Sequence, residues 1–83
     1  MKREDIYQLI DLERVRQAKK WNKKHDWGKG DCSSKKVEPI TKVGVLTEEN
    51  GEVAKAVLER DDKGLKKELC QLAACCVAWL ESL

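Results

Sequence analysis

Between Leu69 and Leu80 the chain reads LCQLAACCVAWL, and on a helix these residues leave almost no polar side. A helix that is apolar nearly all round has neighbours on every side. The sequence has 83 residues, enough for one domain, and a domain this small buries only a modest fraction of its surface. Two further helices cannot surround the third. The expected fold is therefore all-α: a small helical bundle completed by oligomerisation, as a homodimer or homotetramer.

The rest of the chain agrees with a helical class. Charged residues make up 39%, aromatics 5%, and there is no Phe, a composition rich in helix formers and poor in strand formers. The whole chain, 1–83, reads as a single domain with helices at about 4–23, 39–60 and 63–82 and a loop at about 24–38. Ile6, Leu9, Ile10, Val15 and Trp21 give the first helix a loose apolar stripe. The segment KHDWGKGDCSSKK breaks it with glycines, serines and aspartates. Pro39 suits the first turn of the second helix. Gly44 and Gly51 weaken that helix but would let another helix or a ligand come close. ERDDKG makes a tight turn in which Asp61 or Asp62 can cap the third helix. Leu65, Leu69, Leu72, Cys76 and Leu80 share one side of it, and the second and third helices are expected to form an antiparallel hairpin.

Helix two carries the chemistry. At about 100° per residue, Val43, Thr47, Ala54, Val57 and Leu58 fall on one side and Glu49 and Glu52 on the other, with Glu48 toward the flank. Val45, Val53 and Ala56 share the glutamates' half, which is unlike a solvated face. On helix three, Glu68 and Gln71 are three residues apart and hence adjacent, in the company of Leu72, Cys75, Ala78 and Trp79. If the two pairs face each other, they gather three carboxylates and an amide. Such a cluster repels itself unless it shares protons or holds a cation, and Mg²⁺ suits its hard oxygens. The bland alternative is a solvated face in which the glutamates pair with Lys42 or Lys55.

Glu48-Glu49-x-x-Glu52, followed after fifteen residues by Glu68-x-x-Gln71, resembles the EExxE…ExxD signature of the MazG-like all-α nucleoside triphosphate pyrophosphohydrolases. LTEENGEVAKAVLE is similar to that family's LxEExGEvaxAxxE, and LKKELCQLAA to its LxxELxDvxx, over roughly residues 43 to 80. The resemblance implies Mg²⁺-dependent (or Mn²⁺-dependent) cleavage of a nucleoside triphosphate to the monophosphate and pyrophosphate by an oligomer. Carried over by position, Glu49, Glu52, Glu68 and Gln71 would ligate metal, and Glu48 and Glu49 would be catalytic, Glu48 placing the attacking water. Gln71 departs from the usual aspartate: it keeps a carbonyl oxygen and loses a charge. The alternatives are a non-catalytic nucleotide-binding relative and an oligomeric helical interaction module.

Small relatives in that family are also similar on the first helix, in an ER-x-RQ-x-x-KW pattern matched by Glu13, Arg14, Arg16, Gln17, Lys20 and Trp21. Arg16, Gln17, Lys20 and Trp21 are the candidate substrate-binding residues, because an aromatic face stacks on a base and cations hold phosphates. The competing readings are a core anchor for Trp21 and a solvated face for Arg16 and Lys20. Trp27 either closes over a nucleotide or pins the loop, and Trp79 suits subunit packing.

Cys32, Cys70, Cys75 and Cys76 read as small buried hydrophobes rather than zinc ligands, since His25 is the only histidine and the spacing is wrong. The net charge of +2 does not point to nucleic acid, and the basic residues of helix one are interleaved with Glu4, Asp5, Asp11 and Glu13. No nucleic-acid partner is expected. The longest uncharged apolar run, LAACCVAWL, falls far short of the roughly 20 residues that span a bilayer, and no signal peptide is evident. A cytoplasmic protein without a membrane partner is expected.

Overall fold

A computed structural model describes residues 1–83 and contains three helices, α1 (Arg3–Lys20), α2 (Pro39–Leu58) and α3 (Asp62–Glu81). The fold is all-α. α3 is the central element: α1 and α2 both pack on it, and no Cα of α1 lies within 8 Å of one in α2. The connection from α2 to α3 takes three residues and reverses the chain, giving the expected helical hairpin.

That reversal is a helix C-cap followed at once by an N-cap. Asp61 N–H donates to Ala56 O at 3.0 Å and Arg60 N–H to Val57 O at 3.1 Å, the paired bonds of a Schellman motif. Asp61 then caps α3, its carboxylate accepting from Gly64 N–H at 2.9 Å. Arg60 sits at φ 54°, a left-handed conformation that costs a residue with a side chain roughly 1–2 kcal/mol. Arg60→Gly is expected to stabilise the fold by about 0.5–1 kcal/mol, after allowing for glycine's greater unfolded-state entropy. An unchanged or lowered urea midpoint would count against this account of the turn.

The connection from α1 to α2 holds a feature not anticipated in the sequence. Lys24–His25 (β1) and Gly28–Lys29 (β2) pair antiparallel, with Lys24 opposite Lys29 and His25 opposite Gly28. Gly28 lies at φ 131°, where a Cβ would also run into the Lys36 carbonyl, so the position requires glycine. α1 stops at Lys20 rather than near residue 23, because the chain turns at Trp21 and packs that ring on the hairpin. The ring centroids of Trp21, His25 and Trp27 lie 5.3–5.7 Å apart.

Packing selects one face of the nearly all-apolar α3. α3 turns its small residues inward: Ala74, Cys75 and Ala78 are buried, whereas Leu69, Cys76 and Leu80 are exposed. Small side chains let α1 and α2 approach closely, which the leucine side would prevent. On α2 the inward face holds Val45, Glu49, Val53 and Ala56, while Val43, Thr47, Ala54, Val57 and Leu58 all face outward, Leu58 with 84% of its surface exposed. On α1, Ile6, Ile10, Arg14 and Gln17 face α3, and Leu9 and Val15 do not. Nothing within the chain comes near Gly44 or Gly51, so the close approach expected at those glycines is absent from the single chain. No large side chain is fully buried. No helix is long and apolar enough to cross a membrane.

The interior is held instead by polar ties. Arg14 is buried and donates to Asp31 at 2.7 Å, to Gln17 at 3.2 Å and to Glu81 at 3.0 and 3.3 Å. One guanidinium thereby joins α1, the loop and the end of α3. Lys42, 3% exposed, runs its stem along the α2–α3 contact and donates to Ser82 at 2.9 Å. It is not a partner for the glutamates, and no ion pair involves Glu48, Glu49 or Glu52.

Candidate active site

Three helices and the loop enclose a cleft of about 490 Å³. Helical spacing decides which residues reach it: Thr41, Val45, Glu48 and Glu49 from α2, and Lys67, Gln71 and Cys75 from α3. Arg16, Gln17, Lys20 and Trp21 supply the α1 wall, and His25 and Trp27 the hairpin end. All four candidate substrate-binding residues therefore meet Glu48, Glu49 and Gln71 around one space. Glu52 and Glu68 do not line it; Glu52 is exposed and Glu68 half-buried.

The acidic end is a compact arrangement of Glu49, Glu68 and Gln71. With its nitrogen turned toward the carboxylates, the Gln71 amide donates to Glu68 Oε2 at 3.0 Å and to Glu49 Oε2 at 3.2 Å. Burial, and then the neighbouring charges of Glu68, Glu48 and Glu52, raise the Glu49 carboxyl above its ordinary value. An amide NH₂ between two carboxylates does in part what a cation would do.

An octahedral ion with bonds of 2.0–2.1 Å takes adjacent oxygens about 3 Å apart, whereas the separations just given run from the amide nitrogen to carboxylate oxygens; Glu49, Glu68 and Gln71 are the oxygen-bearing groups that could hold one. Turned over, the same amide presents its oxygen. No three acidic, imidazole or thiol groups converge on a single point, so the chain offers two carboxylates and an amide rather than a closed cage. Mg²⁺ is commonly held that way, with waters and substrate phosphates completing its shell. Glu52 stands outside this group, which rests on Glu49, Glu68 and Gln71.

The α1 wall divides by role. Gln17 is buried, and its amide is fully occupied: it donates to Gln71 O at 3.3 Å and to Cys75 Sγ at 3.4 Å, and accepts from Arg14. It shapes the floor and offers a ligand no free donor. Arg16 is held by Glu13 at 2.8 and 3.0 Å, so part of its charge is spent. Lys20 and Lys67 have no acidic partner and are the free cations of the cleft, Lys20 lying 5.2 Å from the centre of the Trp21 ring.

The aromatic end is rigid. His25 Nε2 pairs with Gly30 O at 2.7 Å while Nδ1 accepts from Trp27 N–H at 3.2 Å, which fixes the tautomer with its proton on Nε2. Both nitrogens are engaged, so His25 braces the hairpin. Trp27 packs on Trp21 and His25 within the hairpin, the loop-pinning role, and also lines the cleft with 51% of its surface exposed.

The four cysteines are free; Cys32 and Cys75 are buried against the cleft, Cys70 is half-buried and Cys76 exposed. The Cys75 thiol is pushed up to about 12, by burial first and then by Cys32 and Glu49, and burial also raises Cys32. Both stay protonated at neutral pH and behave as small apolar groups.

Sequence reading assigned no part to Arg14, Lys67 or the hairpin. Arg14 carried a signal, since it follows Ile6 and Ile10 at four-residue spacing and so interrupts an inward stripe. Lys67 carried none, as its place in the cleft depends on how α1 and the loop close over α3. Compared with known families, curated proteins and solved structures, the chain finds no match.

Proposed function

We propose that the chain is a Mg²⁺-dependent nucleoside triphosphate pyrophosphohydrolase of the MazG-like kind, forming the monophosphate and pyrophosphate. The observation that carries this reading is the company kept in one cleft by Glu48, Glu49 and Gln71, unpaired Lys20 and Lys67, and the rings of Trp21 and Trp27, with Glu68 beside Gln71 just outside the lining. A nucleoside triphosphate has matching parts, a flat base and a polyanion that needs cations.

In this mechanism Glu49 and Glu68, with the Gln71 oxygen, would hold the ion, which would supply charge neutralisation at the phosphates and a more acidic water. Glu48, exposed on the cleft wall, orients the attacking water and accepts its proton. Lys20 and Lys67 hold the remaining phosphate oxygens, and the tryptophans stack on the base. A second copy, in a dimer or tetramer, would cover the outward stripe of α2 and the outward leucines of α3.

The test is pyrophosphate release from a panel of common and oxidised nucleoside triphosphates, with and without Mg²⁺, beside a Glu49→Ala, Glu52→Ala double variant. Metal-dependent release that disappears in the variant is expected, from a preparation that light scattering shows to hold two or four chains. Absence of release from every substrate would remove the hydrolase. The Gln71 amide bridge favours one second reading, a nucleotide-binding protein without turnover. It predicts nucleotide- and Mg²⁺-dependent thermal stabilisation with no product.

A further inference from the structure

Charge is unevenly distributed along this chain. Seven lysines and two aspartates lie between Lys19 and Lys36, whereas the whole chain nets +2, so the remainder is acidic on balance. One of the two aspartates, Asp31, is already neutralised by Arg14. All seven lysines are exposed and none has an acidic partner.

The hairpin concentrates them. Its register sets Lys24 directly opposite Lys29, and like charges facing each other across a ribbon are destabilising. The ring cluster and the two His25 bonds hold the ribbon against that repulsion, and a bound polyanion would remove it. Lys36 belongs to the same lobe, because its carbonyl lies against Gly28. Between these cations the turn raises Trp27, half exposed, beside Trp21 with ring centres 5.6 Å apart. Basic groups around aromatic faces are what sequence-tolerant single-strand binding uses: cations follow the backbone and bases stack on the rings. A duplex keeps its bases stacked internally and cannot use the tryptophans. One exposed acid, Asp26 in the turn beside Trp27, is interleaved here, against seven lysines, so the local balance is far more basic than on α1.

We propose that the hairpin lobe, with Lys24, Lys29 and Lys36 around Trp27, is a docking surface for single-stranded nucleic acid. Its lysines are separable from hydrolysis, since Lys24, Lys29 and Lys36 lie outside the cleft, whereas Trp27 is shared with it.

The test is fluorescence anisotropy of a labelled oligothymidine of about 12 nucleotides with the full chain, titrated between about 50 and 200 mM salt. Binding in the range of about 1–100 µM at the low-salt end is expected, weakening steeply as salt rises. Lys24→Ala, Lys29→Ala should weaken binding and reduce the log–log salt slope by about 1.4, from two lost phosphate contacts, without altering pyrophosphate release. Trp27→Ala should weaken binding at least about fivefold. Three results would each overturn the proposal: no binding at low salt, a duplex of equal charge bound as tightly as the single strand, or a double-lysine variant that folds and binds like the parent.

Discussion

Glu49→Gln is expected to lower metal-dependent pyrophosphate release by about 10²–10³-fold, the several kcal/mol of charge stabilisation that a correctly held ion supplies, while making the protein more resistant to heat. The two effects have one cause. Glu49 sits partly buried among Glu68, Glu48 and Glu52, and its carboxyl is raised. For an acid with a raised folded-state value, stability is greatest when it is protonated, and it declines as pH increases through that value. Glutamine keeps the shape and removes the charge, so it captures the low-pH stability at every pH. Parent and variant should melt alike in mild acid and diverge toward neutrality, with the variant higher. Mg²⁺ should reverse the order by stabilising the parent alone, since a ligand that binds only the folded state raises its melting temperature. Calorimetry across pH, with and without the ion, reads all of this. A variant less stable than the parent at neutral pH without metal would mean that the Glu49 carboxylate is structural and would sink the site.

The largest effect on stability is expected at Arg14. Arg14→Ala should cost about 3–5 kcal/mol, the usual consequence of removing one partner from a buried ion pair. Domains of this size have roughly 0.05–0.15 kcal/mol per residue in total, so the variant should be largely unfolded or sharply shifted in urea. The arginine leaves Asp31 behind in a half-buried place. Burial there opposes the Asp31 charge, yet hydrogen bonds from Ser33 and Arg14 outweigh it and hold the carboxyl below its ordinary value. With a depressed folded-state value, its contribution is complete above the ordinary carboxylate range and is lost as pH falls through the lowered value. Acid should therefore weaken the parent through Asp31 but not an Asp31→Asn variant, the opposite of the trend at Glu49. A loss below about 1 kcal/mol for Arg14→Ala, typical of exposed pairs, would show that the guanidinium is decoration.

Arg14 and Glu49 also mark where the sequence could be read and where it could not. Helical periodicity, Pro39 at the start of α2 and the capping Asp61 are local signals, each written within a few residues, and they were enough for three helices, a helical hairpin and two pairs of oxygen-bearing side chains on it. The spacing of Glu49 to Glu68 needed only that hairpin. On α2 the valines and alanine accompanying the glutamates marked the inward half, but α3 reads as apolar nearly all round, so only packing decided that its small residues face inward and several larger apolar side chains are left outside.

By itself the sequence determined the helices, the turn and the gathering of Glu49, Glu68 and Gln71, because each depends on residues close together on one helix or across one short reversal. The tertiary structure alone decided the rest: the hairpin on which Trp27 stands, the exclusion of Glu52 and Glu68 from the cleft lining, and the service of Arg14 and Gln17 as ties. It also made Lys20 and Lys67 the free cations of the cleft. Those outcomes depend on contacts between residues as far apart as Arg14 and Glu81, and on the competition of charges for partners that only folding brings within reach.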